Sequence, residues 1–268
     1  MTDQPCVLGV CGSPRARFKD TGRAIELIKQ TESYQDLYAG IYELASNKKI
    51  SNSEALMWMA LFGAAREGAD VDILLLKDVL RKSSGRPGTL AREAREKVDK
   101  ADGLVLASPV YFGDCSSWMT FFLNEVSLKG KVAGVVSVGA KRNGGQETNN
   151  IFTLMTAFSH GAAIVGNGPP TSQYGGTGWA GDVGAILDDN FGLATSLGTG
   201  KRVVEVTRQI TVRRDTPATV LLISYCMGNS PDPLCNEIEE AFAGLSGVTF
   251  RSLNLNAVSY THLRAHET

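Results

Sequence analysis

The sequence predicts an α/β protein whose core is a doubly wound sheet of five parallel strands, followed by the opening of a second α/β unit. Short apolar runs recur along the chain, spaced widely enough for a helix between neighbouring runs. Each run is continuously apolar rather than alternating, which is typical of parallel strands covered on both faces. The segments between them carry apolar residues at helical spacing, so each step predicts a right-handed strand–helix–strand crossover.

The strands and helices follow one another in a regular order. Turn-forming residues bound the apolar runs, which predict strands at residues 7–11, 71–76, 103–107, 132–138 and 162–165. Helical periodicity predicts helices at residues 21–29, 55–67, 89–101, 118–126, 151–158 and 186–197. Gly68 favours a stop after the second helix, and Thr89 is a suitable N-cap for the third.

Residues 30–54 interrupt what would otherwise be one crossover helix after the first strand. This insertion is too long for an ordinary loop, so we expect it to form a short helix of its own at residues 34–44. Its role stays open at this point: a lid, an interface or a surface excursion without a function.

The chain changes character after Lys201. We assign residues 1–205 to the sheet domain, 206–217 to a linker and 218–257 to the truncated start of a second unit, with strands at 219–225 and 248–255 around a helix at 234–242. About 40 residues rarely form an independent core. The last eleven residues, VSYTHLRAHET at 258–268, resemble the translation of a sequencing adaptor and are excluded from fold reasoning.

Composition and charge argue against several classes of function. The formal net charge is -1 and no lysine or arginine run stands out, so we expect no nucleic-acid partner. The chain shows neither the ~20-residue apolar run of a membrane span nor a signal peptide, so we expect a cytoplasmic protein without a membrane partner. The five cysteines form no C-x-x-C pair and there are three histidines, so we predict no metal site.

The loop after the first strand, GVCGSPRARFKDTG, indicates an anion site. Gly12 permits a sharp turn, Ser13 and Thr21 offer hydroxyl donors, and the next helix presents free N–H groups. Arg15 and Arg17 add positive charge. A phosphate monoester fits these groups, whereas the triphosphate and dinucleotide motifs G-x-x-x-x-G-K-[ST] and G-x-G-x-x-G are absent at this position. A turn without a ligand is the alternative.

Two further loops are predicted at the same edge of the sheet. The stretch ADGLVLASPVYFGD leaves the third strand with a proline and the paired aromatics Tyr111 and Phe112, which suit a planar ligand or, alternatively, cap the core. The stretch SVGAKRNGGQETNN leaves the fourth strand, and Gly144 and Gly145 allow backbone amides to approach a ligand. The three loops together suit a phosphorylated planar cofactor.

The motifs GSPR with DTG, ADGLVLASPVYFGD and GGQET resemble the flavodoxin-like NAD(P)H-dependent FMN reductase family, over roughly residues 5 to 205. The resemblance implies a flavodoxin-like fold and bound FMN, with its phosphate at Ser13, Arg15 and Thr21 and its ring beside residues 109–113. It also implies that NAD(P)H reduces the flavin, which passes electrons to a quinone, a flavin or another small acceptor, and that the chain forms a homodimer. Tyr111 is the candidate catalytic residue, since it or a backbone amide is expected to hydrogen-bond the ring.

The resemblance also places the pyrimidine edge of the ring near Ala140 and the loop after the fourth strand. The full set of implied cofactor-binding residues is Gly12, Ser13, Arg15, Thr21, Pro109, Val110, Tyr111, Phe112, Gly113, Ala140, Gly144, Gly145, Glu147 and Thr148.

Two other functions stay open, and two departures from the family matter: the insertion at residues 30–54 and the absence of a cysteine cluster. The chain could be an FMN-binding electron-transfer module of a larger fusion protein, or a low-molecular-weight phosphatase-like hydrolase in which Cys11 and Arg17 satisfy C-x5-R. That hydrolase family has Ser or Thr after the arginine, where this chain has Phe18.

Iron–sulfur members of the wider FMN family carry a cysteine cluster before the third strand, but residues 81–90 read RKSSGRPGTL, so we predict no cluster. The electron acceptor, the choice between NADH and NADPH and the oligomeric state are not determined by the sequence.

Overall fold

The computed structural model describes residues 4–16, 18, 20–45, 50–82, 90–213, 218–224, 236–238, 240–241 and 248–254. The chain divides into two compact units, Met1–Thr211 and Val212–Thr268. No helix in the described ranges is both long enough and apolar enough to cross a membrane.

The first unit is built on a parallel sheet. Its strands are β1 (Cys6–Cys11), β2 (Asp70–Leu75), β3 (Gly103–Pro109), β4 (Val132–Gly139), β5 (Ala163–Val165) and β6 (Gly176–Trp179). The order across the sheet is β2-β1-β3-β4-β5, and all of these pairs are parallel. This order reverses direction between β1 and β3, as in the flavodoxin-like doubly wound sheet, so the predicted fold class is confirmed.

Two short strands share the fifth position of the sheet. β5 pairs with the start of β4, beginning at Val132↔Ala163, whereas β6 pairs with its end, up to Gly139↔Trp179. The sequence prediction missed β6 because two of its four residues are glycines. A Cβ on Gly178 would lie 2.5 Å from Leu56 Cδ1, so close packing removes the apolar side chain that would have indicated a strand.

Helices cover both faces of the sheet. They are α1 (Thr21–Gln30), α2 (Tyr34–Leu44), α3 (Asn52–Arg66), α4 (Leu76–Lys82), α5 (Arg92–Lys100), α6 (Ser117–Glu125), α7 (Gln146–Ser159) and α8 (Asn190–Arg213), with a 3-10 helix at Ala185–Asp188. Buried side chains of α1, α2, α3 and α8 belong to one apolar cluster, and those of α5, α6 and α7 belong to a second. The sheet separates two cores, as its continuously apolar strands predict.

The final helix of the first unit differs most from the prediction. α8 begins at Asn190 and continues to Arg213, past the predicted domain end at 205 and through the first eight residues of the predicted 206–217 linker. Its β-branched residues imitate the period of a strand, but Val203, Val204 and Thr207 are buried together at helical spacing. The short helix α4 was not predicted, and the expected N-cap Thr89 lies outside the described residues.

The second unit contains a parallel pair of strands, β7 (Ala218–Ser224) and β8 (Val248–Asn254). Their register runs from Ala218↔Val248 to Ser224↔Asn254. Parallel neighbours need a crossover between them. Most of the helix predicted for that crossover at 234–242, and all of the tail 258–268, lie outside the described residues. The assignment of this unit as a truncated domain stays a prediction.

Candidate functional site

A cleft of about 230 Å³ opens at the carboxyl ends of β1, β3 and β4. This edge is where the strand order reverses, which is where ligands bind in open α/β sheets. The loops after these three strands line the cleft, and so do residues 51–53 at the start of α3 and residues 180–183 after β6. The cleft therefore combines predicted loops with two segments that the sequence prediction did not include.

The structure brings part of the predicted site together. The predicted residues that line the cleft are Ser13, Arg15, Pro109, Val110, Tyr111 and Ala140. The predicted residues that lie outside its lining are Gly12, Thr21, Phe112, Gly113, Gly144, Gly145, Glu147 and Thr148.

The loop after β1 presents a hydroxyl and a cation to the cleft. Ser13 is 3% exposed, and its Oγ accepts a hydrogen bond from the Arg15 backbone N–H at 3.3 Å, which leaves the hydroxyl proton available to donate. The exposed Arg15 side chain forms no ion pair with the described part of the chain. The buried Gly12 is required by packing rather than by a left-handed turn, since a Cβ there would lie 2.8 Å from Ser116 Oγ.

The helix that begins at the cleft is α3 and not α1. Thr21 is the first residue of α1. The Asp20 carboxylate caps this helix by accepting the Arg23 N–H at 3.1 Å, so an acidic group already occupies the helix start. α3 is capped by Ser51, whose Oγ accepts the Glu54 N–H at 3.2 Å. The first two N–H groups of α3 have no acceptor within the helix, and the positive end of its dipole faces the cleft.

The insertion explains why the helix that begins at the cleft is not the one that directly follows the loop after β1. α3 packs against β1, β3 and β4, so it is the true crossover helix, while α1 and α2 form an excursion before it. Ser51 and Glu54 form the S-x-x-E pattern of a capping box, and this pattern was the available signal. The buried Glu54 also accepts the Phe18 N–H at 3.3 Å and so ties the loop after β1 to α3.

Ser53 presents a hydroxyl to the cleft. The residue lines the cleft and is only 3% exposed, and its hydroxyl makes no hydrogen bond within the described ranges. Its oxygen is not one of the fully buried, unpartnered side-chain atoms of these ranges, so it meets the cleft and is available to a polar ligand. The Ser13 and Ser53 hydroxyls, the Arg15 guanidinium and the free N–H groups of α3 together fit a phosphate monoester.

The loop after β3 is a tight turn that holds Tyr111 against the cleft. The backbone N–H of Tyr111 donates to Asp114 O at 2.8 Å, and the Asp114 N–H donates back to Tyr111 O at 3.0 Å. Between them, Phe112 adopts φ 55° and Gly113 adopts φ 83°. Phe112 is fully exposed and lies outside the lining, so one aromatic ring, not two, faces the cleft.

The loop after β4 supports the site from behind. Gly145, with φ 93°, would place a Cβ 3.1 Å from Gly113 Cα, so the loops after β3 and β4 pack directly on each other. The Gly144 N–H, predicted to face a ligand, donates instead to Oε1 of the buried Gln146 at 2.8 Å. Glu147 and Thr148 are exposed in the first turn of α7.

A second unpredicted segment forms the far wall, and Asn52 holds it in place. The Asn52 side chain donates from Nδ2 to Asp182 O at 2.9 Å and accepts the Gly184 N–H at Oδ1 at 2.8 Å. Gly184 has φ 87°, a conformation that favours glycine. Asp182 and Val183 line the cleft. The start of α3 therefore lines the cleft itself and also positions the segment that forms its far wall.

The buried thiol behind the loop is unsuited to nucleophilic catalysis. Cys11 is fully buried, and burial, with a smaller contribution from Glu54, raises the pKa of its thiol well above the ordinary value. A nucleophilic cysteine needs a lowered pKa. Arg17, the second member of the C-x5-R pattern, lies outside the described residues. The geometry therefore gives the hydrolase alternative no support.

Comparisons with known proteins place the chain in a family. The NADPH-dependent FMN reductase family matches residues 40–175. An iron-sulfur flavoprotein of Methanocaldococcus jannaschii is 34% identical over 182 residues, which cover 59% of this chain and 92% of that protein. The chain belongs to the NADPH-dependent FMN reductase family. It is an NAD(P)H-dependent flavin oxidoreductase with FMN as its cofactor, as the sequence motifs predict.

The chain is also similar to a second curated protein and to a protein of known structure. An NAD(P)H dehydrogenase (quinone) of Archaeoglobus fulgidus is 30% identical over 170 residues, covering 55% of this chain and 87% of that protein. A WrbA-like flavodoxin from Agrobacterium tumefaciens, of known structure, is 16% identical, with a TM-score of 0.46 and coverage of 77% of this chain and 99% of that one. The family match begins at residue 40, so the role of the loop after β1 rests on the geometry described above.

Proposed function

We propose that the cleft binds FMN with its phosphate between the loop after β1 and the first turn of α3. The observation that carries this proposal is the Ser53 hydroxyl, which faces the cleft without a partner among the described residues, at the start of a helix whose first N–H groups are free. Hydrogen bonds to a charged group contribute about 1.5–3 kcal/mol each, so a few of them anchor the cofactor. Arg15 adds a charge at the open side, where solvent screens it.

The isoalloxazine ring is proposed to lie along the loop after β3 and the end of β4. Pro109, Val110 and Tyr111 offer a rigid, largely apolar surface, and Ala140, after the neighbouring strand β4, also lines the cleft. When bound, FMN supplies the ability to accept a hydride and pass on electrons. The chain itself orients the ring and keeps one side of it dry, and Tyr111 is the proposed catalytic residue in contact with it.

The electron donor is NAD(P)H, and we propose a small molecule, a quinone or a flavin, as the acceptor. The name of the Archaeoglobus fulgidus relative supports a quinone. We further propose that the protein is cytoplasmic, forms a homodimer, and carries no iron–sulfur cluster, since residues 81–90 contain no cysteine although two relatives are named iron-sulfur flavoproteins. The alternative is an FMN-binding electron-transfer module that exchanges electrons with a partner protein.

The deciding experiment is an anaerobic titration of the full chain with FMN and with riboflavin, followed by NADH or NADPH. We expect FMN to bind about 100-fold more tightly, because riboflavin lacks the phosphate that two charge-assisted hydrogen bonds hold. NAD(P)H should then bleach the visible absorbance of the bound flavin. Equal affinities would remove the phosphate assignment, and tight binding without bleaching would favour the electron-transfer module.

Tyr111 can be tested in the same titration. Tyr111→Ala is expected to slow flavin reduction by NAD(P)H about tenfold or more, because a poorly positioned ring misaligns the hydride transfer. Tyr111→Phe separates the hydroxyl from the aromatic face. Phe112→Ala is the matched control, since Phe112 belongs to the same turn but is fully exposed. Full rates and full FMN affinity in both Tyr111 variants would show that Tyr111 has no such role.

A further inference from the structure

A second cavity, of about 450 Å³, lies next to the cleft that we propose to bind FMN. It lies between α2, the helix formed by the insertion, and residues 182–188. Asp182 and Val183 line both cavities, so a single segment of chain forms the wall between them. The volume lies in the range of small-molecule sites.

Most of the residues that line this cavity are aromatic or apolar, and the polar ones are Gln35, Asp182 and Asp188. Tyr38, Ala39 and Tyr42 line it from α2, and Ala185 and Leu187 line it from the opposite side. Tyr38 is 8% exposed, and its hydroxyl makes no hydrogen bond within the described part of the chain. Burial and the neighbouring Tyr42 and Glu54 raise the pKa of Tyr38, which keeps this hydroxyl protonated and able to donate.

The charges of the cavity are of one sign. Asp182 and Asp188 are its charged lining residues, and no lysine or arginine belongs to the lining within the described ranges. A carboxylate pair repels anions, so NAD(P)H, which carries several negative charges, is a poor occupant. The walls instead suit a planar aromatic molecule that is uncharged or positively charged.

Both walls are held by specific contacts. Tyr34 anchors α2 by donating its hydroxyl to Ala55 O at 2.7 Å, and Leu37 and Ile41 on the same helix are fully buried. The opposite wall is fixed by the two hydrogen bonds of Asn52. The cavity is therefore preformed, which reduces the entropic cost of binding.

We propose that this cavity is a second ligand site of the protein and takes a planar, quinone-type molecule without negative charge. The Tyr38 hydroxyl donates to a carbonyl oxygen of the ligand, and Tyr42 packs on its ring. The site is separate from the proposed FMN cleft, with which it shares Asp182 and Val183. It gives the insertion a role in binding a small molecule.

The proposal is tested by calorimetric titration of the FMN-loaded full chain with two anthraquinones that do not alkylate thiols. One is uncharged 2-(hydroxymethyl)anthraquinone, and the other is anionic anthraquinone-2-sulfonate. We expect the uncharged ligand to bind more tightly. Tyr42→Ala should weaken its binding about five- to tenfold through loss of ring packing. Tyr174→Ala, which removes an exposed tyrosine outside both cavities, should leave binding unchanged.

A charge reversal gives a second readout. Asp188→Lys should raise the affinity for the sulfonate, whereas Glu26→Lys, the same reversal of charge at an exposed position on α1, should not. Absence of binding by the uncharged anthraquinone, or an equal effect of the two tyrosine variants, would overturn the assignment of this cavity alone. A chain that fails to bind FMN but binds the uncharged anthraquinone would overturn the proposed function and leave this second site in place.

Discussion

The double variant Arg15→Ala/Ser53→Ala is expected to bind FMN about 100-fold more weakly than the parent chain, while riboflavin binding changes by less than about threefold. Ser53 is only 3% exposed at the start of α3, where solvent competes less than at exposed Arg15, so it should account for more of the loss. Quenching of flavin fluorescence measures both affinities. The riboflavin arm isolates the phosphate because the ring is common to both ligands.

Thr21→Ala is the control that separates the two helix starts. Thr21 lies at the start of α1, where Asp20 already caps the helix, so this variant should keep the parental affinity for FMN. Since the Ser53 hydroxyl has no partner in the described part of the chain, Ser53→Ala should also melt at the parental temperature. An FMN affinity lowered equally by Thr21→Ala and Ser53→Ala would move the phosphate to α1 and contradict the proposed site.

The sheet was predictable because its strands carry their signal in consecutive residues. β1 and β4 read as unbroken apolar runs, and even the inserted helix α2 was predicted at its observed bounds. The prediction failed where tertiary packing overrides local pattern. Glycines in β6 approach neighbouring side chains closely, and the β-branched residues of α8 have a strand-like period although they face the sheet from a helix.

The site was only partly predictable, for a related reason. Ser13, Arg15 and Tyr111 follow directly after strands, so their place at the cleft follows from the strand order. Ser53 and Asp182 lie at the cleft because of two features that the sequence pattern did not show. The insertion places α1 and α2 before the crossover helix α3, and the unpredicted strand β6 precedes the segment that contains Asp182. A position shortly after a strand therefore predicted which residues line the cleft. A position at the start of the helix that follows the first loop, as for Thr21, did not.

Gly200→Ala is expected to destabilise the first unit by about 2 kcal/mol, against the usual effect of this substitution. Alanine normally stabilises a helix interior by about 0.5–1 kcal/mol relative to glycine. Here a Cβ on Gly200 would lie 2.6 Å from the Ala60 carbonyl carbon, and a Cβ on Gly63 would clash with Leu197 O. These are backbone atoms that cannot rotate away, so overpacking, at about 3 kcal/mol, outweighs the helix preference.

Thermal unfolding followed by circular dichroism measures this effect, which corresponds to a midpoint about 4–8 °C lower. Gly22→Ala is the matched control, because Gly22 is also helical but the nearest atom to its Cβ would be Asp20 Oδ1 at 3.8 Å. That variant should be as stable as the parent chain or slightly more so. A midpoint for Gly200→Ala at or above that of Gly22→Ala would mean that α3 and α8 do not meet through their glycines. Since Gly200 meets α3 two turns beyond Ser53, FMN affinity should fall far less than stability, which separates the packing of α3 from its role at the phosphate.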